Sequence, residues 1–589
     1  MYDCLIPELS RLKQSSLEAV ENVDNFNAFK KYMHIERPFE EKLKTILRDL
    51  RGEKRPQLVL VCGSVGDGKS HLISYLKETE PELFENVDIH NDATESFSPS
   101  ETSIDTLNTE MRRFNDISIQ EGLDSQYNHM IVAINLGTLN NFLNSDYHKN
   151  YKALYEFVNE NNILEEETIS EKSLENWPFH FINLSEYHLF ELKSGGVDSS
   201  LQKNMLSRIT KEGNNNPFYR TYELNCQNKC PVKEICPVKK NYELLSREDS
   251  QNTIIKQLAE LNIKYKSIIS PRTYMDFIYH IMVDEKLDFP NKTKIIVDRL
   301  KNYNPKDYLY ALLPNRFYEY GKDTEIFKDV KHIQPGIKRN EKTDRLLISF
   351  FNTENIDKFF YEYIDEDLIQ KLDLSSIFKS VEDDLLKKEL YVSLLRINKF
   401  FPNSSLKEID DKDWNYETFL KYLYAWNRND QPNIRSLYKS IERSIYLWNG
   451  DAGENKINLF IGANQWKYSV IQFLTVDPVV RNQELIDDET LEQFSTHINL
   501  VFEVENTKNQ YSIDIDYHLF DLIMKIQEGY RPNAQDKNNF VGFVDFINRI
   551  IKDGSQNKVL EFKNKSNSKS EVYQLSLDQF GYYSFKENS

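Results

Sequence analysis

The stretch that most constrains the fold runs from Gln57 to Glu80. Gln57-Leu-Val-Leu-Val-Cys62 is a continuous apolar run, set off by the polar hinge Glu53-Lys54-Arg55-Pro56 before it. A run this short, with no alternation, predicts a strand buried on both faces of a parallel sheet. Residues 63–70 follow at once as Gly-Ser-Val-Gly-Asp-Gly-Lys-Ser. From His71 to Glu80, Leu72, Ile73 and Leu76 share one face, which predicts a helix. Gly63, Gly66 and Gly68 allow a tight turn that aims backbone N–H groups inward, and the helix start near Lys69 adds its positive end. The pattern G-x-x-x-x-G-K-S in this context is that of a phosphate-binding loop. The expectation is that Gly63, Ser64, Val65, Gly66, Asp67, Gly68, Lys69, Ser70 and His71 hold ATP. Lys69 reaches the β- and γ-phosphates, and the Ser70 hydroxyl ligates Mg²⁺. The competing readings are an ordinary glycine turn and a loop that binds nucleotide without hydrolysing it.

Further strands are expected at 86–91, 130–136 and 179–184, with a helix at 104–114 between them. Strands alternating with helices predict an α/β domain whose parallel sheet carries helices on both faces. Hydrolysis also needs an acid, yet no apolar strand ends in Asp-Glu. Asp92 and Glu95 follow the second strand, where ligands of parallel sheets bind; the alternative is a solvated loop. Asn135 ends the third strand and would orient water or sense the γ-phosphate, or simply be a turn residue. Arg272, just before the apolar helix Tyr274 to Met282, is placed to meet a nucleotide phosphate. Arg220 is a weaker candidate for a finger given to a neighbouring subunit, and surface ion pairing is the favoured reading for it.

Five cysteines in 589 residues do not make a disulfide scaffold, but three of them are Cys226, Cys230 and Cys236, spaced C-x₃-C-x₅-C. Thiolates this close suggest a small metal knuckle, for Zn²⁺ ahead of an Fe–S cluster. A fourth ligand is then required, and His188 or His180 are the candidates; three reduced structural thiols is the alternative. Asp553 followed by Val-Leu-Glu561-Phe-Lys563 has the residue types of a metal-dependent nuclease, but the spacing is short, and any half-buried strand alternates in this way. Nuclease activity in this chain is not expected.

The texture divides the chain into an N-terminal helical segment (1–50), an ATPase domain with a cysteine-rich insertion near 226–236 (51–300), a helical domain (301–450) and a C-terminal α+β domain (451–589). No signal peptide and no apolar run of membrane-crossing length is read, so a cytoplasmic location is expected. The net charge of −19 argues against a surface that grips DNA throughout.

Three segments carry a resemblance: the loop Gly63 to His71; His90-Asn-Asp-Ala-Thr-Glu-Ser96; and Val132-Ala-Ile-Asn-Leu-Gly-Thr-Leu-Asn-Asn-Phe142. The cysteine-rich segment and Leu312-Leu-Pro-Asn-Arg-Phe317 add to it. Over roughly residues 1–350 the chain resembles the DptF family of DNA phosphorothioation-dependent restriction proteins. The resemblance implies an AAA+-like P-loop ATPase of a three-part bacterial antiviral defence module. It would act with DptG- and DptH-like subunits against DNA lacking phosphorothioate, possible homo-oligomer formation included. Gly63, Gly66, Gly68, Lys69 and Ser70 would hold ATP and Mg²⁺, and Asn135 would take the place of a sensing polar residue.

Overall fold

The computed structural model describes the chain apart from residues 1–3, 19–27, 92, 94–101, 122–126, 165–176, 290–291, 320–324, 337–340, 380, 382–383, 402–412, 463–464, 466, 481–482, 506, 555–558, 565–571 and 589. Contacts group it into two units. One comprises residues 1–191, 198–411 and 492–494; the other comprises 192–197, 412–491 and 495–589.

The first unit begins with helices α1 (Leu5–Glu18), α2 (Ala28–Met33) and α3 (Pro38–Leu50). Strand β1 (Leu58–Cys62) leads through the glycine loop to α4 (Lys69–Thr79). Then come β2 (Val87–His90), α5 (Ser103–Met111), α6 (Asp116–Gln120), β3 (His129–Ile134), α7 (Leu136–Leu143), α8 (Lys152–Glu160) and β4 (Phe179–Asn183). All four strands are parallel, in the order β2-β3-β1-β4. Leu60 pairs with Val132 on one side and Phe181 on the other.

Every residue of β1 is buried. Its side chains alternate between two apolar layers. Leu58, Leu60 and Cys62 join Met130, Val132 and Ile134 beneath α5, α7 and α8. Val59 and Val61 join Ile131 and Ala133 beneath α3 and α4. Burying each such side chain contributes ~1.5–3 kcal/mol, which is why a bare apolar run forms this strand. The helix after β1 thus lies on one face of the sheet and the helix after its neighbour β3 on the other. The two chain exits diverge and open a crevice at the carboxyl ends of β1 and β3, the place where open parallel sheets hold ligands.

The chain continues as α9 (Ser200–Thr210), α10 (Pro217–Thr221), α11 (Pro237–Leu245), α12 (Glu248–Tyr265) and α13 (Pro271–Met282). More helices follow to Phe400, and one apolar core joins α1 with residues as far as Phe401. Within it the Leu312–Phe317 segment is structural. Arg316 Nε donates to the carbonyl of His280 near the end of α13 at 2.8 Å, and Asn315 Nδ2 donates to Leu309 O at 2.8 Å.

The second unit is α+β. A five-stranded antiparallel sheet runs in the order 583–588, 572–577, 559–564, 468–473, 456–459, and a three-stranded one in the order 510–515, 498–504, 476–479. Helices Trp414–Asn427 and Gln431–Leu447 continue the helical texture of the preceding region but pack on helix Tyr517–Gln527. Periodicity reports the type of an element, not the core it joins.

Candidate functional site

The loop leaves β1 at Gly63 and enters α4 at Lys69, with Gly66 at φ 91° and Gly68 at φ 98°. Both are left-handed conformations that side chains resist. Lys69 Nζ donates to the carbonyls of its own loop, Gly63 O at 2.7 Å and Ser64 O at 2.9 Å. Val65 stands out at the tip, 74 % exposed. The Asp67 carboxylate accepts from Ser64 N at 2.6 Å and from Ser185 Oγ at 2.6 Å, and Ser185 lies just past β4. Asp67 therefore braces the loop against the neighbouring strand end. The backbone N–H groups of Gly66, Gly68 and Ser70 have no acceptor among the described residues. Donors gathered at a helix N-terminus form an anion cradle.

A second helix end closes on the same loop. Ser270 caps α13 in a reciprocal box with Thr273: Ser270 N donates to Thr273 Oγ1 at 2.8 Å, and Thr273 N to Ser270 Oγ at 3.2 Å. A methyl group on Gly66 would sit 2.6 Å from Ser270 Oγ and 3.2 Å from Arg272 Cβ, so the loop and the first turn of α13 are in direct contact. Arg272 is half-buried, and burial alone lowers its pKa. No ion pair or hydrogen bond neutralises its guanidinium among the described residues. A partly desolvated cation without a counter-charge favours an arriving anion.

Asn135 follows β3 at the crevice. Its Oδ1 accepts from Thr138 N at 2.6 Å, so it caps α7, the structural role expected of a turn asparagine. Its Nδ2 has no acceptor among the described residues. Asn91, directly after β2, has a buried Oδ1 with no hydrogen-bond partner among the described residues. Asp92 and Glu95 lie outside the described residues. Arg220 is exposed on α10 and takes no part in the loop's hydrogen bonds.

His71 differs from the expectation of a phosphate contact by its side chain. Its Nε2 lies 3.0 Å from His34 Nδ1, and His34 Nε2 lies 3.0 Å from Glu40 Oε2. Glu40 pairs with Lys44 at 3.1 Å, and the His34 ring stacks on Tyr75 at 3.4 Å. Burial, with the His34 and Lys30 charges adding to it, pushes His71 down to about 4. Its imidazole is therefore a neutral tie between α4 and the segment before α3. Burial alone would raise Glu40, but hydrogen bonds from His34 and Lys44 hold it below the usual carboxylate range.

Two residues around the loop have no local sequence signal: Ser185, which braces it, and Arg37, whose charge faces Asp67. Arg37 donates to Tyr187 O at 2.9 Å; burial lowers it to about 10, with Asp67 and Glu492 opposing. A polar residue just past a parallel strand was the one available hint for Ser185. Alongside α4 a polar cleft of about 1040 Å³ opens between Tyr32, His34 and Tyr75 on one side and Arg208 and Asn214 on the other.

The cysteines gather elsewhere in the unit. Cys226 lies in a π-helical turn, Tyr222–Lys229; Cys230 ends that turn, and Cys236 caps α11. The residue that joins them is Cys4. All four border one largely apolar cavity of about 20 Å³. Neither histidine considered as a fourth ligand is there. His188 Nε2 meets Phe494 O at 2.8 Å, and His180 sits in β4 near Asp49 and Glu53. In these rotamers no three His, Cys, Asp or Glu side chains among the described residues are drawn tightly enough to hold an ion.

In the second unit, Asp553 accepts from Tyr511 OH at 2.6 Å and Asn509 Nδ2 at 2.7 Å, while Glu561 pairs with Lys456 at 2.8 Å. Asp553 ties its helix to the three-stranded sheet, and Glu561 braces two strands of the five-stranded one. No protein-family model matches the chain, and no curated protein matches it either.

Proposed function

We propose that the chain is a P-loop ATPase that binds ATP and Mg²⁺ at the carboxyl ends of β1 and β3. The observation that carries this reading is the convergence on one crevice of free loop amides, Lys69, and the uncompensated Arg272 at the start of a second helix. Lys69 would leave the Gly63 and Ser64 carbonyls for the β- and γ-phosphates. Arg272 would neutralise charge that builds on the γ-phosphoryl oxygens. Ser70 would hold Mg²⁺, which would supply charge neutralisation at the phosphates when bound. The free Nδ2 of Asn135 would steady the attacking water or report the γ-phosphate, and Asp92 and Glu95 are the acids available for activating that water. The cleft beside α4 offers space for the base and sugar.

The role that fits the resemblance is that of the ATPase subunit in a bacterial DNA phosphorothioation-dependent restriction system. It would act in the cytoplasm on DNA lacking phosphorothioate, with DptG- and DptH-like partners and as a possible homo-oligomer. The charge of −19 favours reaching DNA through the complex. Among the described residues no helix is long and apolar enough to cross a membrane. One observation favours a second reading, a nucleotide-dependent scaffold with little turnover: the Asn135 oxygen is already committed to a helix cap.

ATP turnover by the purified chain, alone and with unmodified DNA and candidate partners, tests this. Turnover stimulated by DNA or partners and abolished by Lys69→Ala is expected. Retained ATP binding with no turnover under any condition would leave the scaffold reading in its place.

A further inference from the structure

Four of the five cysteines, one near the start of the first unit and three from its middle, border one small cavity. Cys4 immediately precedes α1, and Cys236 is the N-cap of α11, so two sulfurs stand at positive helix ends. The Leu5 and Ile6 amides are directed at the Cys4 sulfur, the Leu5 amide also at Cys226, and the Lys239 and Val238 amides at Cys236. Burial outweighs these donors and keeps the metal-free thiols protonated; the same N–H groups would meet the charge on sulfur once metal is bound. The thiolate is the form that ligates metal. Cys226 sits in a π-helical turn, a rare element found mostly at functional sites. Cys230 and Cys236 are each followed by proline, which stiffens the turns that present them.

We infer that Cys4, Cys226, Cys230 and Cys236 form a four-thiolate metal centre that staples the N-terminus of α1 to the 226–236 segment. The chemistry is that of a thiophilic centre, either one tetrahedral Zn²⁺ or an iron–sulfur cluster. A single ion requires the four side chains to turn inward about χ1. The larger cluster needs its ligands spread around a wider core. Each thiol gives up one proton as its bond to metal forms; zinc binds with no change of oxidation state, and a cluster assembled from ferrous and ferric ions with inorganic sulfide needs no further oxidant.

The test is metal and acid-labile sulfide analysis, with visible spectra, on full-length protein purified without oxygen. A second sample is reconstituted with zinc or with iron and sulfide. About one zinc per chain, or about four irons with matching sulfide and broad visible absorption, is expected. Cys4→Ser should lose most of that metal, whereas Cys62→Ala, which alters the one cysteine outside the cluster, should keep it. Thiol titration of the unfolded chain should give five reactive groups only after the metal is removed. A folded protein that takes up no metal in either form, with five titratable thiols and an unchanged melting temperature on reconstitution, overturns the inference. So does full metal retention by Cys4→Ser.

Discussion

At the scale of single residues the decisive side chain is Arg272. It forms no ion pair or hydrogen bond among the described residues, so Arg272→Ala should change the melting temperature little, within the ±0.5 kcal/mol usual for such positions. The same substitution should weaken ATP binding or slow turnover by about ten-fold or more, the loss of roughly one charge-assisted contact. ADP, lacking the γ-phosphate, should be affected less. Titration of both nucleotides against both proteins checks this. Gly66→Ala is the converse case, because it places a methyl group against Ser270 Oγ at a positive φ. A cost of ~1–3 kcal/mol in unfolding free energy is expected, together with weaker nucleotide binding as α13 is pushed off the loop. Asn135 separates two roles. Asn135→Ala should lose ~1 kcal/mol of capping, and Asn135→Asp should restore the cap. If turnover stays low in Asn135→Asp, the amide has a role beyond the cap; full recovery would mean that it caps and no more. His71 adds a pH dependence. Its folded pKa of about 4 lies below the ordinary histidine value of 6.5, so the unfolded chain takes up the extra proton. Stability should fall as pH drops from about 6.5 toward 4, by up to ~3 kcal/mol at the end of that window. Glu40 acts in the same direction on the acid side. Melting curves of the wild type and His71→Gln across this range should diverge, with the variant flatter.

At the scale of elements, what could be read in the sequence was what is encoded locally. The β1–loop–α4 unit is legible because a buried strand, three glycines and a helical face lie within about two dozen consecutive residues. Arg272 is legible because Ser270-Pro271 starts a helix, and β3 is legible from its apolar run. Contacts that join distant segments were not. Ser185 and Arg37 reach the loop only through the packing of β4 and of the residues before α3. Cys4 meets the cluster only once α1 lies along α13. The histidines proposed in its place were chosen by residue type alone; His180 lies in β4 and His188 in the segment after it, and both lead elsewhere. This packing also gives α13 two jobs. Its first turn contacts the glycine loop, and its body lies against α1, the helix whose N-terminus the cysteines would hold. Loss of metal should therefore lower the melting temperature of the first unit and loosen ATP binding to a smaller degree. Calorimetry on the metal-free and reconstituted protein would register both.

At the scale of the whole molecule, the glycine-loop crevice and the four-cysteine cavity belong to the first unit, whereas Asp553 and Glu561 serve the sheets of the second. The claim beneath all of this is that ATP binds at residues 63–70. Equilibrium binding of Mg²⁺ and a non-hydrolysable ATP analogue to the purified chain, beside Lys69→Ala, tests it most directly. The account predicts saturable binding near one site per chain, weakened by on the order of ten- to a hundred-fold in the variant. No binding by the wild type, or equal binding by Lys69→Ala, would contradict it.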